Sequence, residues 1–291
     1  MDKNRDRFML NVLLVILLVV VGIPCHAEPP AGTGQMQQRP FYLIGHNPNE
    51  ASEALAYLDG RANALEPDIY QTESGDLRVH DRVKLFGILI LWPLFNGEGP
   101  LLKDYLHDLK QGLDARKGAN LAMILWDLKP PFNVQWIREA RALIQAELGS
   151  HYPNISMVYT VGSADGIPAL QEFAKEISLS EAIGVDESVP PSVVEHAFKD
   201  TGRAYTYADG TNEVNVTSAL QMRDAGNAFA LVYVWTVKDR ARIRQFLGKG
   251  VDGMIIDREN IPLLLDELSQ SGGLEQHPLA TPAHSPFGAK R

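Results

Sequence analysis

The chain has 291 residues, of which 45% are hydrophobic and 22% charged, and this ordinary globular composition excludes collagen-like, coiled-coil and largely disordered proteins. Its 27 basic and 36 acidic residues give a formal charge of −9, which argues against nucleic acid as a partner. Cys25 is the one cysteine in the sequence, so a disulfide scaffold and a cysteine-based zinc site are also excluded.

The first 27 residues have the pattern of a secretory signal peptide. Basic residues at positions 3, 5 and 7 precede the apolar run Phe8–Val21, and a small residue ends the segment. The run is shorter than the roughly 20 residues that span a bilayer, which favours cleavage over an uncleaved anchor. Lipid modification of Cys25 is a weaker alternative. We therefore expect a secreted protein with a signal peptide over 1–27 and a Pro-, Gly- and Gln-rich linker over 28–39.

From residue 40 onward, apolar strand-like runs alternate with amphipathic helical stretches. The predicted strands are Phe41–Gly45, Ala62–Glu66, Asp76–His80, Leu121–Asp127, Ser156–Val161, Ala182–Val185, Ala204–Tyr207, Ala228–Trp235 and Gly253–Ile256. The predicted helices are Glu50–Leu58, Leu101–Leu113, Val134–Leu148, Ile167–Lys175, Pro191–Phe198, Glu213–Ala225, Lys238–Leu247 and Ile261–Leu268. Strand followed by helix, repeated about eight times without a Gly/Ser-rich linker, favours one parallel sheet over two doubly wound domains. We predict an α/β fold, a single (β/α)₈ TIM-type barrel over residues 40–275, followed by a C-terminal tail over 276–291.

Polar and aromatic side chains stand where the predicted strands end. They are His46, Glu66, Asp68, His80, Asp127, Lys129 and Trp235. In barrels of this type the active site lies at the carboxyl ends of the strands, so these seven residues are predicted to meet at one rim.

The carboxylates among them suit a hard metal ion. Glu66 and Asp68 are two residues apart, so on an extended strand their side chains point the same way and repel each other unless a cation lies between them. With Asp127 they form an oxygen-rich set that fits Mg²⁺ or Ca²⁺ better than a soft metal.

The other charged residues fit phosphoryl transfer beside such a metal. His46 and His80 could act as general acid and as general base or nucleophile, and Lys129 could neutralise negative charge on the phosphate. Each feature also has an ordinary interpretation: a structural or exposed histidine, a solvated Glu-x-Asp strand end, or a surface ion pair between Asp127 and Lys129. The residues alone predict a metal-dependent barrel hydrolase and leave those alternatives open.

Two neighbouring segments carry a family resemblance, Leu65–Ile69 with its Glu-x-Asp pair and Leu77–Asp81 with the second histidine. In this order they resemble the core of the glycerophosphodiester phosphodiesterase superfamily. Further matching segments are Arg39–His46, Trp126–Lys129, Ala208–Gly210, Val232–Val237 and Gly250–Gly253. With them the chain is more similar to the sphingomyelinase D branch, the phospholipase D toxins of spiders and their actinobacterial and fungal relatives. The resemblance covers residues 39–288. The motifs are specific when they occur together in this order, whereas any one of them alone is not.

The resemblance implies a TIM-type barrel with assigned roles. By this resemblance, His46 and His80 would be the catalytic residues. Mg²⁺ would be bound by Glu66, Asp68 and Asp127, and the substrate by Lys129, Tyr233 and Trp235. A substrate-binding role for Trp235 also has a physical basis, because an aromatic face attracts a quaternary ammonium such as choline. Core packing is the alternative for this residue. The family releases the head-group alcohol from lysophospholipids or sphingomyelin, largely through attack of a substrate hydroxyl on phosphorus that yields a cyclic phosphate.

The chain departs from the spider toxins in several places. The expected mature chain has no cysteine for disulfide-closed loops near the second histidine, and the apolar run Leu85–Phe95 stands there instead. That run is too short to span a bilayer, so it is predicted either as an interfacial loop that contacts lipid or as a buried strand or helix start. The tail segment Ala280–Phe287 keeps the Ala-Thr and Pro-aromatic pairs of the family but carries His-Ser in place of Asp-Asn. Asn154 and Asn215 are glycosylation acceptors if the source is eukaryotic.

The expected function is that of a secreted, Mg²⁺-dependent phospholipase D or sphingomyelinase D-like enzyme. Its substrate would be a phospholipid at a membrane or micelle surface, and it would act as a monomer without nucleic acid. Two alternatives are a glycerophosphodiester phosphodiesterase that hydrolyses soluble diesters to linear products, and a catalytically idle lipid-binding barrel. A barrel glycosidase that uses Glu66 and Asp68 is a further alternative, but it would need neither histidine and would be insensitive to EDTA.

Overall fold

A computed structural model gives the fold of the chain over residues 39–81, 98–117, 120–187, 189–210, 212–226, 228–270 and 277–287. The predicted signal peptide, most of the predicted linker and the apolar run Leu85–Phe95 lie outside these described residues. Within the described ranges, no helix has both the length and the apolar character needed to cross a membrane.

A closed barrel of parallel strands forms the centre of the described chain. The strands are β1 (Tyr42–His46), β2 (Ala64–Glu66), β3 (Asp68–Gln71), β4 (Leu77–Val79), β5 (Met123–Leu128), β6 (Ser156–Val161), β7 (Glu181–Val185), β8 (Ala204–Asp209), β9 (Leu231–Val234) and β10 (Gly253–Ile256). Among the described residues, eight strands, β1, β2 and β5 to β10, pair in parallel with their neighbours, and β10 returns to β1. This ring confirms the predicted TIM-type barrel.

Helices connect successive barrel strands and cover the outside of the ring. They are α1 (Ala51–Asp59), α2 (Leu102–Ala115), α3 (Val134–Ile144), α4 (Ile167–Phe173), α5 (Pro191–Phe198), α6 (Glu213–Asp224), α7 (Arg240–Lys249) and α8 (Ile261–Gln270). In α2, Leu102, Leu106 and Leu109 recur at helical spacing and are buried, which is the pattern of a helix packed on one face. The side chain of Asn133 caps α3 by accepting a hydrogen bond from the backbone N–H of Gln135.

One predicted strand lies outside the ring, in a hairpin. The predicted strand Asp76–His80 corresponds to β4, but β4 pairs antiparallel with β3, which in turn pairs in parallel with β5. The chain can reverse here because Gly75 adopts a φ of +93°, which glycine reaches without strain. The hairpin has a consequence for the site, because the β3–β5 register sets Asp68 beside Asp127.

Alternating side chains on the barrel strands form two apolar layers. Residues on the outer faces pack with the helices in one large cluster. Residues on the inner faces fill the barrel, and they include Tyr42, Ile44, Met123, Leu125, Val158, Tyr233 and Ile255. The interior is therefore a packed core rather than a pore, and a ligand can reach the barrel only at its two ends.

The segment 277–287 covers the barrel at the amino ends of the strands. The backbone N–H of Ala280 donates to the carbonyl oxygen of Phe41 at 2.9 Å. The side-chain amide of buried Asn63 donates to the carbonyl oxygens of both Phe41 and Ala280, at 3.0 and 2.9 Å. Phe287 packs with the apolar layer inside the barrel. Because this end is closed, the carboxyl ends of the strands are left as the place for a ligand.

Candidate active site

A cavity of about 220 Å³ opens at the rim formed by the carboxyl ends of the barrel strands. The residues that line it are His46, Asn47, Glu66, Asp81, Asp127, Lys129, Gly162, Asp186, Glu187, Trp235 and Ile255. Five of the seven residues that we predicted at one rim are among them. The wall is strongly acidic, so a metal ion or a cationic organic group is the chemistry that it favours.

His46, the last residue of β1, is held through both its ring and its backbone. Its Nδ1 lies 2.7 Å from Oδ1 of Asp257, the residue that follows β10. The hydroxyl of Tyr57 donates to the His46 carbonyl oxygen at 2.9 Å. The Tyr57 ring lies against Gly45, where a Cβ would stand 2.6 Å from two ring atoms, so a larger residue could not keep this packing. These contacts fix the position of His46 on the cavity wall.

Asparagines in the loop after β1 hold the carboxylates of Glu66 and Asp68. The backbone N–H of Asn47 donates to Glu66 Oε2 at 3.1 Å. Asn47 has a φ of +48°, a left-handed conformation that asparagine tolerates better than most residues. Asn49 forms a reciprocal pair with Asp68, because its amide nitrogen donates to Asp68 Oδ2 at 2.7 Å and its oxygen accepts from the Asp68 backbone N–H at 2.9 Å. Both carboxylates are therefore buried with their orientation set.

The ammonium group of Lys129 lies between two carboxylates. Its Nζ is 2.8 Å from Asp68 Oδ1 and also contacts Asp127 Oδ2. Burial opposes the charge on this amine, but the carboxylates of Asp127, Asp68 and Glu66 outweigh burial and raise the pKa of Lys129 well above its ordinary value. The side chain lines the cavity, so this fixed positive charge can also meet an anionic group of a ligand.

Glu66, Asp127 and Asp186 form a buried acidic cluster on the cavity wall. One carboxylate oxygen of each lies within 4.8 Å of the other two. Burial, and after it the neighbouring carboxylates, raises the pKa of Glu66 and of Asp186 well above the ordinary value. Among the described residues, no hydrogen-bond donor reaches Oδ1 of Asp127 or Oδ1 of Asp186, although both oxygens are buried. Three such carboxylates are the oxygen donors that a hard divalent cation takes, so the cluster could hold a metal ion.

The cluster overlaps the predicted metal ligands without matching them one for one. Glu66 and Asp127 belong to it, whereas Asp68 lies beside Asp127 and shares Lys129 with it. Asp186 is the third carboxylate of the cluster, and the hydroxyl of Thr160 donates to its Oδ2 at 3.2 Å. Asp68 as a ligand therefore stays a prediction, and Asp186 is an additional candidate.

Three predicted site residues do not line this cavity: Asp68, described above, and His80 and Tyr233. His80 follows β4, where its backbone N–H donates to the Asp68 carbonyl oxygen at 3.1 Å, and its Nδ1 lies 2.7 Å from the carbonyl oxygen of Asp81. Its neighbour Asp81 does line the cavity. Tyr233 is buried inside the barrel, because it sits on an inner face of β9, and its hydroxyl is 3.3 Å from the hydroxyl of Thr206. The catalytic role of His80 and the substrate-binding role of Tyr233 stay predictions.

Trp235 follows β9 and joins the barrel interior to the cavity. Its ring packs on the inner apolar layer and also lines the cavity. Gly210 makes room for this ring, because a Cβ at that position would stand 3.3 Å from a ring carbon. An aromatic face beside an acidic wall is a favourable environment for a quaternary ammonium group.

The sequence predictions missed several residues that support the site, among them Asn47, Asn49, Asp186 and Asp257. The last two directly follow predicted strands, so the rule that found the other strand-end residues would have found them. The two asparagines lie in a loop, where polar residues are common, and nothing in the sequence marks them.

Comparison with known proteins gives relatives among spider toxins. A dermonecrotic toxin of Loxosceles intermedia is 24% identical over 283 residues, which cover 86% of this chain and 90% of the toxin. A dermonecrotic toxin of Loxosceles reclusa is 26% identical over 286 residues, which cover 86% of this chain and 89% of the toxin. No model of a known protein family matches the chain. The relatives confirm the resemblance to the spider toxin branch that the motifs predicted.

Solved structures with a similar fold include phosphodiesterases. A glycerophosphodiester phosphodiesterase of Parabacteroides distasonis matches with a TM-score of 0.54 at 16% identity, over 80% of this chain and 100% of that one. A phosphodiesterase of Oleispira antarctica, solved with the product sn-glycerol-3-phosphate, matches with a TM-score of 0.53 at 18% identity, over 78% of this chain and 97% of that one. At these identities the similarity concerns the fold.

Proposed function

We propose that this chain, a relative of the Loxosceles dermonecrotic toxins, is a metal-dependent enzyme that cleaves phosphodiesters in the manner of a phospholipase D. The observation that carries the proposal is the rim cavity, where a histidine, a lysine and a cluster of three carboxylates surround one space. The toxins that match in sequence and the phosphodiesterases that match in fold support the same chemistry.

The metal of the proposal is Mg²⁺. Its ligands would come from Glu66, Asp68 and Asp127, with Asp186 as an additional carboxylate, and these hard oxygen donors fit that ion. When bound, it would act as a Lewis acid that stabilises negative charge on the phosphate. A phosphodiester would be repelled by the acidic wall alone. Lys129, which already contacts Asp68 and Asp127, would add a second positive charge toward the phosphate.

His46 and His80 are the proposed acid and base. One of them deprotonates or orients a substrate hydroxyl, and the other protonates the oxygen of the leaving head group. A bond forms between the hydroxyl oxygen and phosphorus while the bond from phosphorus to the head-group oxygen breaks. The products are then a cyclic phosphate and the free alcohol. The position of His46 on the cavity wall supports its role in proton transfer. The role of His80 is supported by its position next to Asp81, which lines the cavity.

A choline-bearing lysophospholipid or sphingomyelin is the proposed substrate. The trimethylammonium group would lie against the Trp235 ring, with the carboxylate of Glu187 lining the same cavity. The lipid part would stay at a membrane or micelle surface, and the predicted contact of Leu85–Phe95 with lipid belongs to this proposal. The enzyme would work as a monomer.

Secretion is part of the proposal, supported by the signal-peptide pattern of residues 1–27. Expression of the full chain in a secreting host tests it, because N-terminal sequencing of protein from the medium should begin at Glu28. Retention of the uncleaved chain in the membrane fraction would contradict secretion.

Choline release from lysophosphatidylcholine and sphingomyelin tests the catalytic assignment. General acid–base catalysis contributes ~10²–10⁴-fold, so His46→Ala and His80→Ala should each lose at least ~100-fold in kcat while circular dichroism shows a folded barrel. His107→Ala, on the exposed face of α2, is the matched control and should keep full activity. EDTA should abolish release and Mg²⁺ should restore it. Full activity in either active-site variant would contradict the role given to that histidine.

A glycerophosphodiester phosphodiesterase is the second candidate, because the solved structures with a similar fold carry that activity in their names. Such an enzyme would hydrolyse a soluble diester such as glycerophosphocholine. It would release a linear phosphate monoester and would show little activity on lipid.

A further inference from the structure

Asp257 is an acidic residue at the rim to which neither the sequence patterns nor the proposed mechanism gives a role. It follows β10, the barrel neighbour of β1, and the pairing of Gly45 with Ile256 sets it beside His46. Its Oδ1 lies 2.7 Å from Nδ1 of the His46 ring. The side chain is only 20% exposed, so this contact is shielded from water on most sides.

A second charged residue keeps Asp257 ionised. Nζ of Lys238, in the loop between β9 and α7, lies 3.2 Å from the other oxygen of the Asp257 carboxylate. Burial opposes the charge, but the hydrogen bond with His46 and the contact with Lys238 outweigh it and hold the pKa of Asp257 below its ordinary value. An ionised carboxylate only accepts hydrogen bonds, so the His46 Nδ1 in contact with it must carry the hydrogen.

This contact determines which ring nitrogen of His46 is available for chemistry. With its hydrogen bonded to Asp257, Nδ1 is occupied, and the neutral ring presents Nε2 as the acceptor to a ligand in the cavity that His46 lines. The hydrogen bond from Tyr57 to the backbone of His46 holds the other end of the residue. The ring is thereby fixed both in its rotation and in its tautomer.

We propose that Asp257 is a positioning residue, which fixes the His46 ring in the Nδ1–H tautomer with Nε2 available for proton transfer, and that Lys238 holds Asp257 in place. The catalytic part of this inference rests on the proposed function, whereas the tautomer does not. By contrast, the ion pair between Arg141 and Glu181 joins α3 to β7 and includes no residue that lines the cavity.

Nuclear magnetic resonance of histidine labelled with ¹⁵N in the ring tests the tautomer directly, at a pH where the ring is neutral. His46→Gln assigns the His46 signals by their loss. The wild type should show a protonated Nδ1 and an unprotonated Nε2 at His46. Asp257→Ala should shift this ring toward the Nε2–H form, whereas Asp257→Asn keeps an oxygen acceptor and should shift it less. Asp200→Asn, a change at an exposed carboxylate after α5, should leave the His46 signals unchanged.

Kinetics on the same variants completes the test. Asp257→Ala should lower kcat at least ~10-fold with little change in KM, because it misdirects a general acid or base and leaves substrate contacts alone. An unchanged tautomer in both Asp257 variants, or a shifted tautomer with wild-type kcat, would overturn the proposal. If the wild type cleaves none of the phosphodiesters tried, the proposed function fails, and the tautomer measurement still decides the positioning role.

Discussion

Replacing Glu66 with glutamine removes one charge from the acidic cluster while keeping the shape of the side chain. Glutamine retains an oxygen that can accept the backbone hydrogen bond of Asn47. If the cluster is built to hold a cation, its carboxylates repel one another when no cation is present. The metal-free Glu66→Gln protein should therefore be more stable than the metal-free wild type.

The size of the effect follows from the distances. Two unit charges within 4.8 Å repel each other by at least about 3.5 kcal/mol at an effective dielectric constant of about 20. Lys129 already offsets part of this repulsion. We expect a net gain of about 1–2 kcal/mol, which corresponds to about 2–8 °C in Tm for a domain of this size.

The pH dependence has a definite sign. Burial and the neighbouring carboxylates raise the pKa of Glu66 well above its ordinary value of 4.5 in the folded state. The folded protein then holds this proton more tightly than the unfolded chain, so the wild type loses stability as pH rises from 4.5 through the raised pKa. Glutamine does not titrate, so the stabilisation should be small at pH 5 and larger at pH 7.5.

Thermal unfolding in EDTA at both pH values, with and without added Mg²⁺, measures these effects. At a hundred times its dissociation constant, Mg²⁺ should stabilise the wild type by about 2.7 kcal/mol, or about 5–11 °C, and Glu66→Gln should lose most of that shift. Glu73→Gln, on the exposed turn of the β3–β4 hairpin, is the matched control. A variant that is less stable than the wild type in EDTA at pH 7.5, or that keeps the full Mg²⁺ shift, would refute the reasoning.

Three further changes separate the cluster, the head-group pocket and the closed end of the barrel. Asp186→Asn should weaken Mg²⁺ binding at least ~10-fold, because it removes one of the three clustered carboxylates. Isothermal titration calorimetry measures the affinity, and an unchanged value would show that Asp186 is not a metal ligand. Trp235→Ala should raise KM for sphingomyelin by about 5- to 30-fold, the equivalent of about 1–2 kcal/mol of cation–π attraction. Trp235→Phe should bring KM most of the way back to the wild-type value. Equal KM values in all three proteins would contradict the proposed contact between Trp235 and the ammonium group. Phe287→Ala should cost about 3 kcal/mol of unfolding free energy in denaturant titrations while leaving kcat at 25 °C unchanged, and an unaltered midpoint would show that the tail does not stabilise the barrel.

The barrel could be predicted from the sequence because its signals are local. Each barrel strand is an apolar run followed by polar residues, and each helix carries its own apolar stripe. The bounds of β6, β10 and α5 agree with the predicted ones, and the other predicted elements differ from the observed ones by a few residues at their ends. Strand β3 has no counterpart among the predicted strands. The rule that strand ends share one rim then placed His46, Glu66 and Asp127 correctly on the cavity wall.

The rest depended on contacts between distant segments. Whether Asp76–His80 joins the ring or folds back on β3 is decided by pairing partners, which a run of apolar residues does not specify. The inward direction of Tyr233 depends on the strand register, and one residue of slip would reverse it. The clamp of Asn49 on Asp68 joins residues 19 apart through a loop that has no pattern of its own.

Phosphorus nuclear magnetic resonance of the reaction products tests the central claim most directly. Lysophosphatidylcholine, sphingomyelin and glycerophosphocholine would each be incubated with the enzyme, once with Mg²⁺ and once with EDTA, beside His46→Ala as the inactive control. The account predicts a cyclic phosphate signal with equimolar free choline, present only with Mg²⁺ and the wild-type enzyme. A linear monoester from glycerophosphocholine with no lipid cleavage would favour the glycerophosphodiester reaction instead, and turnover that persists in EDTA or in His46→Ala would contradict the account.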